Sequence, residues 1–173
     1  MPFPSNNVYS SAVQTAITLK PVVGSAGLEY DMDDNNDIVS FIATTAIPFG
    51  AFVFVSSDGF VSVPALTANV TAPNAAQRGV ALIDHNKATQ EGYDIGDAVR
   101  VLRRGRVWAL TDPTANVTIN SALFVRFAAG ANGTVLGAFR ADADTATASS
   151  PPVFVNVFHG AGASAGIVAL DLA

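Results

Sequence analysis

Residues Gly92 to Leu110 read GYDIGDAVRVLRRGRVWAL, and the interpretation of the whole chain rests on this stretch. Two β-prone runs, Ala98–Leu102 and Val107–Leu110, flank the sequence Arg103-Arg104-Gly105-Arg106. Glycine takes a positive φ without a steric penalty, and three-residue hairpin loops commonly end on such a residue. The stretch therefore predicts a β-hairpin with a cationic tip and a three-residue loop that ends at Gly105.

This loop determines which side chains share a face of the predicted hairpin. Arg100 would pair with Trp108 across the two strands, so that its guanidinium lies over the indole ring. A shift of one residue would turn the second strand's side chains to the opposite face. In the register set by the three-residue loop, the small apolar residues form one face of the hairpin: Val99, Val101, Val107 and Ala109.

The composition indicates one domain with an unusually apolar surface. The chain has 173 residues, of which 50% are hydrophobic and 13% are charged, whereas about a quarter is usual for charged residues. So few charges predict a sizeable buried interface with copies of the same chain or with a partner. The net charge of −5 argues against a protein that coats nucleic acid.

Several classes of protein are excluded or disfavoured by simple features of the sequence. The chain has no cysteine, which excludes disulfide scaffolds, thiolate metal sites and cysteine nucleophiles and fits assembly in a reducing cytoplasm. The first residues, MPFPSNN, lack the basic region of a secretory signal. The most apolar stretch, Ile38 to Val55, contains Pro48 and Gly50, so we interpret it as two strands and a turn, not a membrane helix.

Residues 1–37 predict an extended N-terminal arm, followed by a single β-rich domain over residues 38–173. Prolines and glycines punctuate the first segment, which has little core of its own and is expected to order on another surface. Its acidic stretch Asp31–Asp37 has side chains at three positions of a calcium loop, but Asn36 and Ile42 stand where Gly and Glu are required. We interpret this stretch as a solvated turn, with cation binding left open.

Short β-prone runs separated by turn residues predict an all-β fold, a β-sandwich or β-barrel core. Asp58-Gly59 and Asn132-Gly133 are the strongest turn signals. The predicted strands outside the central hairpin are Ile38–Ile42, Ala51–Val55, Phe60–Val63, Gly79–Ile83, Ala122–Phe127, Thr134–Phe139, Val153–Phe158 and Ile167–Leu172.

No residue is predicted to be catalytic, cofactor-binding or metal-binding. Residues 162–166 match the G-x-S-x-G pattern of a nucleophile elbow, but a strand-like tail follows and His159 precedes the serine, so we interpret them as a turn of small residues. His85 and His159 are the only histidines. They lack convincing ligand partners and are predicted to be surface or interface residues.

The arginine cluster has three interpretations. It could contact carboxylates of a partner, lie on a plain solvated surface, or bind nucleic acid. Nucleic acid is the least favoured because the chain is acidic and Trp108 is the only aromatic residue nearby. The predicted partner contacts are the apolar arm residues and the arginines of the tip: Val13, Ile17, Leu19, Val22, Arg103, Arg104 and Arg106.

In their order along the chain, several motifs resemble the structural cement, or head decoration, proteins of tailed bacteriophages. The stretches that carry the resemblance are Lys20–Gly24 (KPVVG), Ile47–Val53 (IPFGAFV), Arg78–Leu82 (RGVAL), Tyr93, Gly96–Val99 (GDAV), Leu102–Trp108 (LRRGRVW) and Leu136–Thr145 (LGAFRADADT).

The resemblance implies a small β-rich protein without enzymatic activity or cofactor. Such a protein is made in the host bacterial cytoplasm, binds the outer surface of the virion capsid and reinforces contacts between major capsid proteins. It implies a homo-oligomer, often a trimer, with a dimer as the alternative, and no nucleic acid or membrane as partner. Two other classes stay open: a fibre-base or glycan-binding module on the virion, and a nucleic-acid-binding barrel of the OB type.

Overall fold

The computed structural model describes residues 26–29, 36–71, 77–87, 90–112, 117–119, 121–130, 133–144, 147–149, 155–159 and 166–172. Within these ranges the protein is built almost entirely from short strands, which confirms the predicted all-β fold. The elements are β1 (Asp37–Ala43), β2 (Ile47–Pro48), β3 (Phe52–Val55), β4 (Phe60–Ser62), helix α1 (Thr67–Val70), β5 (Arg78–Ala81), a 3-10 turn (His85–Lys87), β6 (Gly92–Tyr93), β7 (Ala98–Leu110), β8 (Phe124–Arg126), β9 (Phe139–Arg140), β10 (Ala148–Ser149), β11 (Val155–His159) and β12 (Ile167–Leu172).

The predicted central hairpin is wrong, because residues 98–110 form one continuous strand of 13 residues. The first part of β7 pairs antiparallel with β1, and the second part pairs antiparallel with β12. Arg100 lies opposite Ser40 and Trp108 lies opposite Ala169, so these two side chains do not face each other. Since β1 and β12 supply partners along the whole length of β7, the chain has no need to turn at the glycine.

The residues predicted to form the hairpin loop instead form a bulge in β7. Ile38 pairs with Leu102 and Asp37 pairs with Arg104, so that Arg103 is an additional residue in the strand. Gly105 follows with a φ of +120°, a conformation that other residues rarely adopt. Bulges and tight turns favour the same residue types, which explains why the local sequence predicts a turn here.

The bulge moves the following side chains to the other face of the sheet. The predicted single apolar face is therefore also wrong: Val99 and Val101 pack in one core cluster, whereas Val107 and Ala109 pack in another. One long strand thus contributes side chains to two separate hydrophobic clusters.

Five strands close into a small barrel. Their pairings run from β1 to β4, β3, β5 and β7, and β7 pairs again with β1. The β3–β4 connection is a hairpin in which Val55 lies opposite Val61 and Gly59 has a φ of +80°, which confirms the predicted turn at Asp58-Gly59. Alternate residues of these strands pack together and fill the barrel, among them Ala43, Val53, Val55, Val61, Ala81, Val99 and Val101.

A second core covers part of the barrel exterior. The strands β10, β8 and β9 form a separate three-stranded sheet. Phe139 of this sheet meets Phe52 of the barrel edge-on, with ring centroids 6.1 Å apart. The same core includes Val80 and Leu102, so β3, β5 and β7 are covered at one end of the barrel.

Of the other strand predictions, one fails. The runs at 79–83, 122–127, 153–158 and 167–172 correspond to β5, β8, β11 and β12, which confirms them apart from their ends. The run Thr134–Phe139 is wrong, because only Phe139 and Arg140 form a strand there. Gly137, with a φ of +81°, turns the chain and accepts a hydrogen bond from the Phe52 N–H at 2.8 Å.

The described end of the predicted arm lies beside β7. The Gly27 N–H donates to the Trp108 carbonyl at 2.7 Å, and the Trp108 N–H donates to the Leu28 carbonyl at 2.9 Å. The remaining arm residues, 1–25 and 30–35, lie outside the described ranges, so the division at residue 37 stays a prediction. Among the described residues, no helix has the length and apolarity needed to cross a membrane.

Candidate functional site

The three arginines predicted as partner contacts lie along β7, not at an exposed tip. The Arg103 guanidinium donates to the Asp37 carboxylate at 2.9 Å, and Arg106 Nε lies 3.6 Å from an Asp171 oxygen. These side chains are partly exposed, and such ion pairs contribute about 1 kcal/mol or less. Carboxylates of a partner could therefore share these arginines at little cost.

Arg100 and Trp108, the predicted cation–π pair, have separate roles. Arg100 donates to the Glu29 carboxylate at 3.1 Å and so connects residues 26–29 to the barrel. Trp108 is buried in a small cluster with Ile167 and Ala169, against which Leu28 packs. Both residues thus hold residues 26–29 against β7.

The other predicted site residues fall outside the described ranges or show no site. Val13, Ile17, Leu19 and Val22 lie outside them, as do Asp31 to Asn35 and the serine of the G-x-S-x-G pattern. His85 is exposed in the 3-10 turn, and His159 ends β11. No group of three or more histidine and acidic residues suited to a metal ion occurs among the residues that the structure describes.

A buried ionic network that sequence reasoning missed joins the end of β7 to the small sheet. One oxygen of Asp112 accepts hydrogen bonds from Arg126 Nε at 2.9 Å and from Arg140 Nη1 at 2.8 Å. The side chains of Asp112 and Arg126 are fully buried, and that of Arg140 nearly so. The only sequence signal is the alternation of charges in residues 140–144, RADAD, within a chain that has few charges.

The network continues to the protein surface. Arg126 Nη1 donates to the Thr147 hydroxyl at 3.0 Å, and Arg140 Nη2 donates to Asp142 at 2.9 Å. A hydrogen bond from Thr147, helped by the charges of Arg140 and Arg126, holds the pKa of the Asp144 carboxyl below its usual value. Because both buried guanidinium groups pair with the Asp112 carboxylate, this network fastens the small sheet to β7. Asp112 Oδ1 and Arg126 Nη2 are buried in it without a hydrogen-bond partner among the described residues.

An open groove of about 910 Å³ lies beside β2 and β6. Ala26, Ile47, Phe49, Leu110 and Ile167 contribute to its largely apolar lining. Its polar side chains, which include Gln90, Glu91 and Asp94, are exposed to solvent. The groove is suited to contact with another apolar segment more than to acid–base chemistry.

The far end of the barrel exterior carries exposed apolar side chains. Ile42 of β1 and Phe60 of β4 are register partners and are 43% and 45% exposed. Ala98 of β7, on the other side of Ile42, is also exposed, and Phe54 of β3 is half-buried. We call Ile42, Phe54, Phe60 and Ala98 the exterior patch. Neighbouring exposed aromatic and aliphatic side chains are typical of protein contact surfaces.

These features describe an all-β protein whose open surfaces suit contact with other proteins. The model of the family described as Structural cement protein (E217 gp24/Pam3 gp6) matches residues 13–173. The chain therefore belongs to the structural cement protein family, whose members are structural proteins of phage virions. This confirms the resemblance seen in the sequence.

A solved structure shares the fold. A chain of "The capsid of Myoviridae Phage XM1" superposes with a TM-score of 0.64 at 14% sequence identity, over 85% of this chain and 88% of the other. No curated protein matches the sequence.

Proposed function

We propose that this protein binds the outer surface of a phage capsid and reinforces contacts between neighbouring major capsid proteins. It acts without catalysis, cofactor, nucleic acid or membrane. The observation that carries the proposal is the match of residues 13–173 to the structural cement family. The low charge content and the exposed side chains of Ile42 and Phe60 support a protein that works by contact.

In the proposed mechanism, the protein adds contact area that links neighbouring capsid subunits. A cement molecule that spans two capsid subunits must lose contacts before those subunits separate. A standard interface buries about 1,600 Å² in total, and ordering costs offset much of the gain. Each copy therefore adds a modest free energy, and many copies on one shell together raise the barrier to rupture.

Heads that carry the protein should release DNA at a higher temperature than heads that lack it. The added contacts must break before the shell opens, whereas the shell protein itself is the same in both preparations. DNA release during heating, followed with an intercalating dye, measures the difference. Rupture of both preparations at the same temperature would contradict the cement role and favour a fibre-base or glycan-binding module.

We propose that the protein is a homo-oligomer, a trimer in preference to a dimer. A lone monomer with 13% charged residues would expose apolar patches of a kind that soluble monomers rarely show. Light scattering at micromolar concentration should give three times the chain mass. A monomer mass would contradict the physical argument, whereas a dimer mass would contradict the trimer alone.

The apolar arm residues and the arginines of β7 are the proposed contacts: Val13, Ile17, Leu19, Val22, Arg103, Arg104 and Arg106. Ordering an arm costs roughly 1–2 kcal/mol per residue, so the arm must bury its apolar side chains to bind. The arginines would speed docking onto an acidic surface, an effect that salt screens.

Two variants should separate these contributions. Deletion of residues 2–25 leaves Gly27 and Glu29 on β7 and should weaken binding to heads at every salt concentration, because apolar contacts are screened little. Replacement of the three arginines by alanine should slow association mainly at low salt. Binding rates between 50 mM and 500 mM salt test both expectations. Equal salt dependence in the wild type and the arginine variant would exclude the steering role.

A further inference from the structure

The exterior patch has a basic residue at its border. Arg78 of β5 lies opposite Phe54, and Phe54 lies opposite Ser62 on the other side. Residues in such a row share one face of the sheet. Phe60, two residues before Ser62 on β4, lies on the same face. Arg78 therefore adjoins Phe54, the half-buried member of the exterior patch.

Arg78 differs from the other basic residues of the described ranges. It is only 8% exposed, and its buried Nη1 has no hydrogen-bond partner among the described residues. Burial lowers the pKa of its guanidinium. Each of the other lysines and arginines in the described ranges interacts with another group of the chain.

A buried guanidinium nitrogen without a hydrogen bond is rare and calls for an explanation. Nη1 itself is closed to solvent, so a bound partner would provide one by drawing the guanidinium outward to a carboxylate, since arginine and carboxylate form the strongest directional ion pairs. The same partner would cover Ile42 and Phe60. Interfaces commonly combine a desolvated aromatic anchor with a neighbouring arginine.

We infer that the exterior patch and Arg78 form the surface on which the capsid protein docks, and that a carboxylate of the capsid protein pairs with Arg78. This inference rests on the proposed function and adds the contact surface and the chemistry of the partner. It adds Arg78 to the electrostatic contacts already proposed for Arg103, Arg104 and Arg106.

The test is binding of full-length variants to heads stripped of this protein, measured by co-sedimentation. Ile42→Asp and Phe60→Asp should each weaken binding about thirtyfold, the effect of losing a contact worth about 2 kcal/mol. Arg78→Gln should weaken binding about tenfold and reduce its salt dependence. The matched control is Ile119→Asp, which changes an equally apolar side chain, 62% exposed, outside the patch. It should bind like the wild type.

Other outcomes would overturn the inference. If the wild type binds and the patch variants bind equally well, the patch is not the docking surface. If the patch variants break up an oligomer that the wild type forms without heads, a second copy of the chain occupies the patch. Should Arg78→Gln fail to fold, the two aspartate variants still test whether the patch is the docking surface. Arg78→Lys then tests whether the ion pair requires a guanidinium. Failure of the wild type to bind heads would instead contradict the proposed function.

Discussion

Replacement of Asp112 by alanine is expected to lower the free energy of unfolding by about 3–5 kcal/mol. The substitution removes the carboxylate that Arg126 and Arg140 share at 2.9 Å and 2.8 Å. Both guanidinium groups would stay buried without that partner and keep only the more exposed carboxylates of Asp142 and Asp144 nearby. Removal of one partner of a buried ion pair is strongly destabilising. Urea unfolding followed by tryptophan fluorescence measures the change.

Two matched variants identify the cause. Asp142→Ala removes a carboxylate of the same network that is 63% exposed, and it should cost about 1 kcal/mol or less. Asp112→Asn keeps the shape of the side chain but removes its charge, so a large effect there shows that charge matters more than volume. Equal losses for Asp112→Ala and Asp142→Ala would show that the buried network does not hold the small sheet in place.

Replacement of Gly105 by valine is expected to cost about 3 kcal/mol, because two penalties combine. A β-branched residue with a φ of +120° is strained by about 1–3 kcal/mol. A Cβ at this position would also collide with the side-chain oxygen of Asn36. Because the end of a side chain can move aside, this collision should add about 1 kcal/mol, the lower end of the cost of overpacking. The midpoint of thermal unfolding should fall accordingly.

Gly59 separates strain from collision. It has a φ of +80°, but an added Cβ there would meet no heavy atom within 4 Å. Gly59→Ala should therefore cost about 1 kcal/mol from backbone strain alone, and Gly105→Ala should cost clearly more. If the two alanine variants lose the same stability, the collision with Asn36 contributes nothing to the cost of replacing Gly105.

Local patterns predict much of the fold, because strands and tight turns depend on neighbouring residues. Asp58-Gly59 and the runs that became β5, β8, β11 and β12 are of this kind. The central strand is different. Gly105 suits either a turn or a bulge, and the choice depends on β1 and β12, which are distant in sequence. Pairing partners of this kind leave no local signal.

The candidate site was less predictable for a related reason. A cluster of arginines on β7 indicates a cationic surface, but the carboxylates beside Arg103 and Arg106 come from β1 and β12. Arg78 stands in a short apolar strand and has no sequence feature that marks it as lacking an ion pair. The shared carboxylate of Asp112 likewise brings together residues 14 and 28 positions apart.

The position of β7 also bears on how fast the protein can fold. Its partners lie at residues 37–42, 80–81 and 167–172, so almost every pairing that it makes joins distant parts of the chain. The entropy of closing these loops must be overcome before the pairings stabilise the fold, and domains dominated by such contacts fold in milliseconds to seconds. Until then β7 exposes unpaired backbone groups to other chains, and such groups favour aggregation.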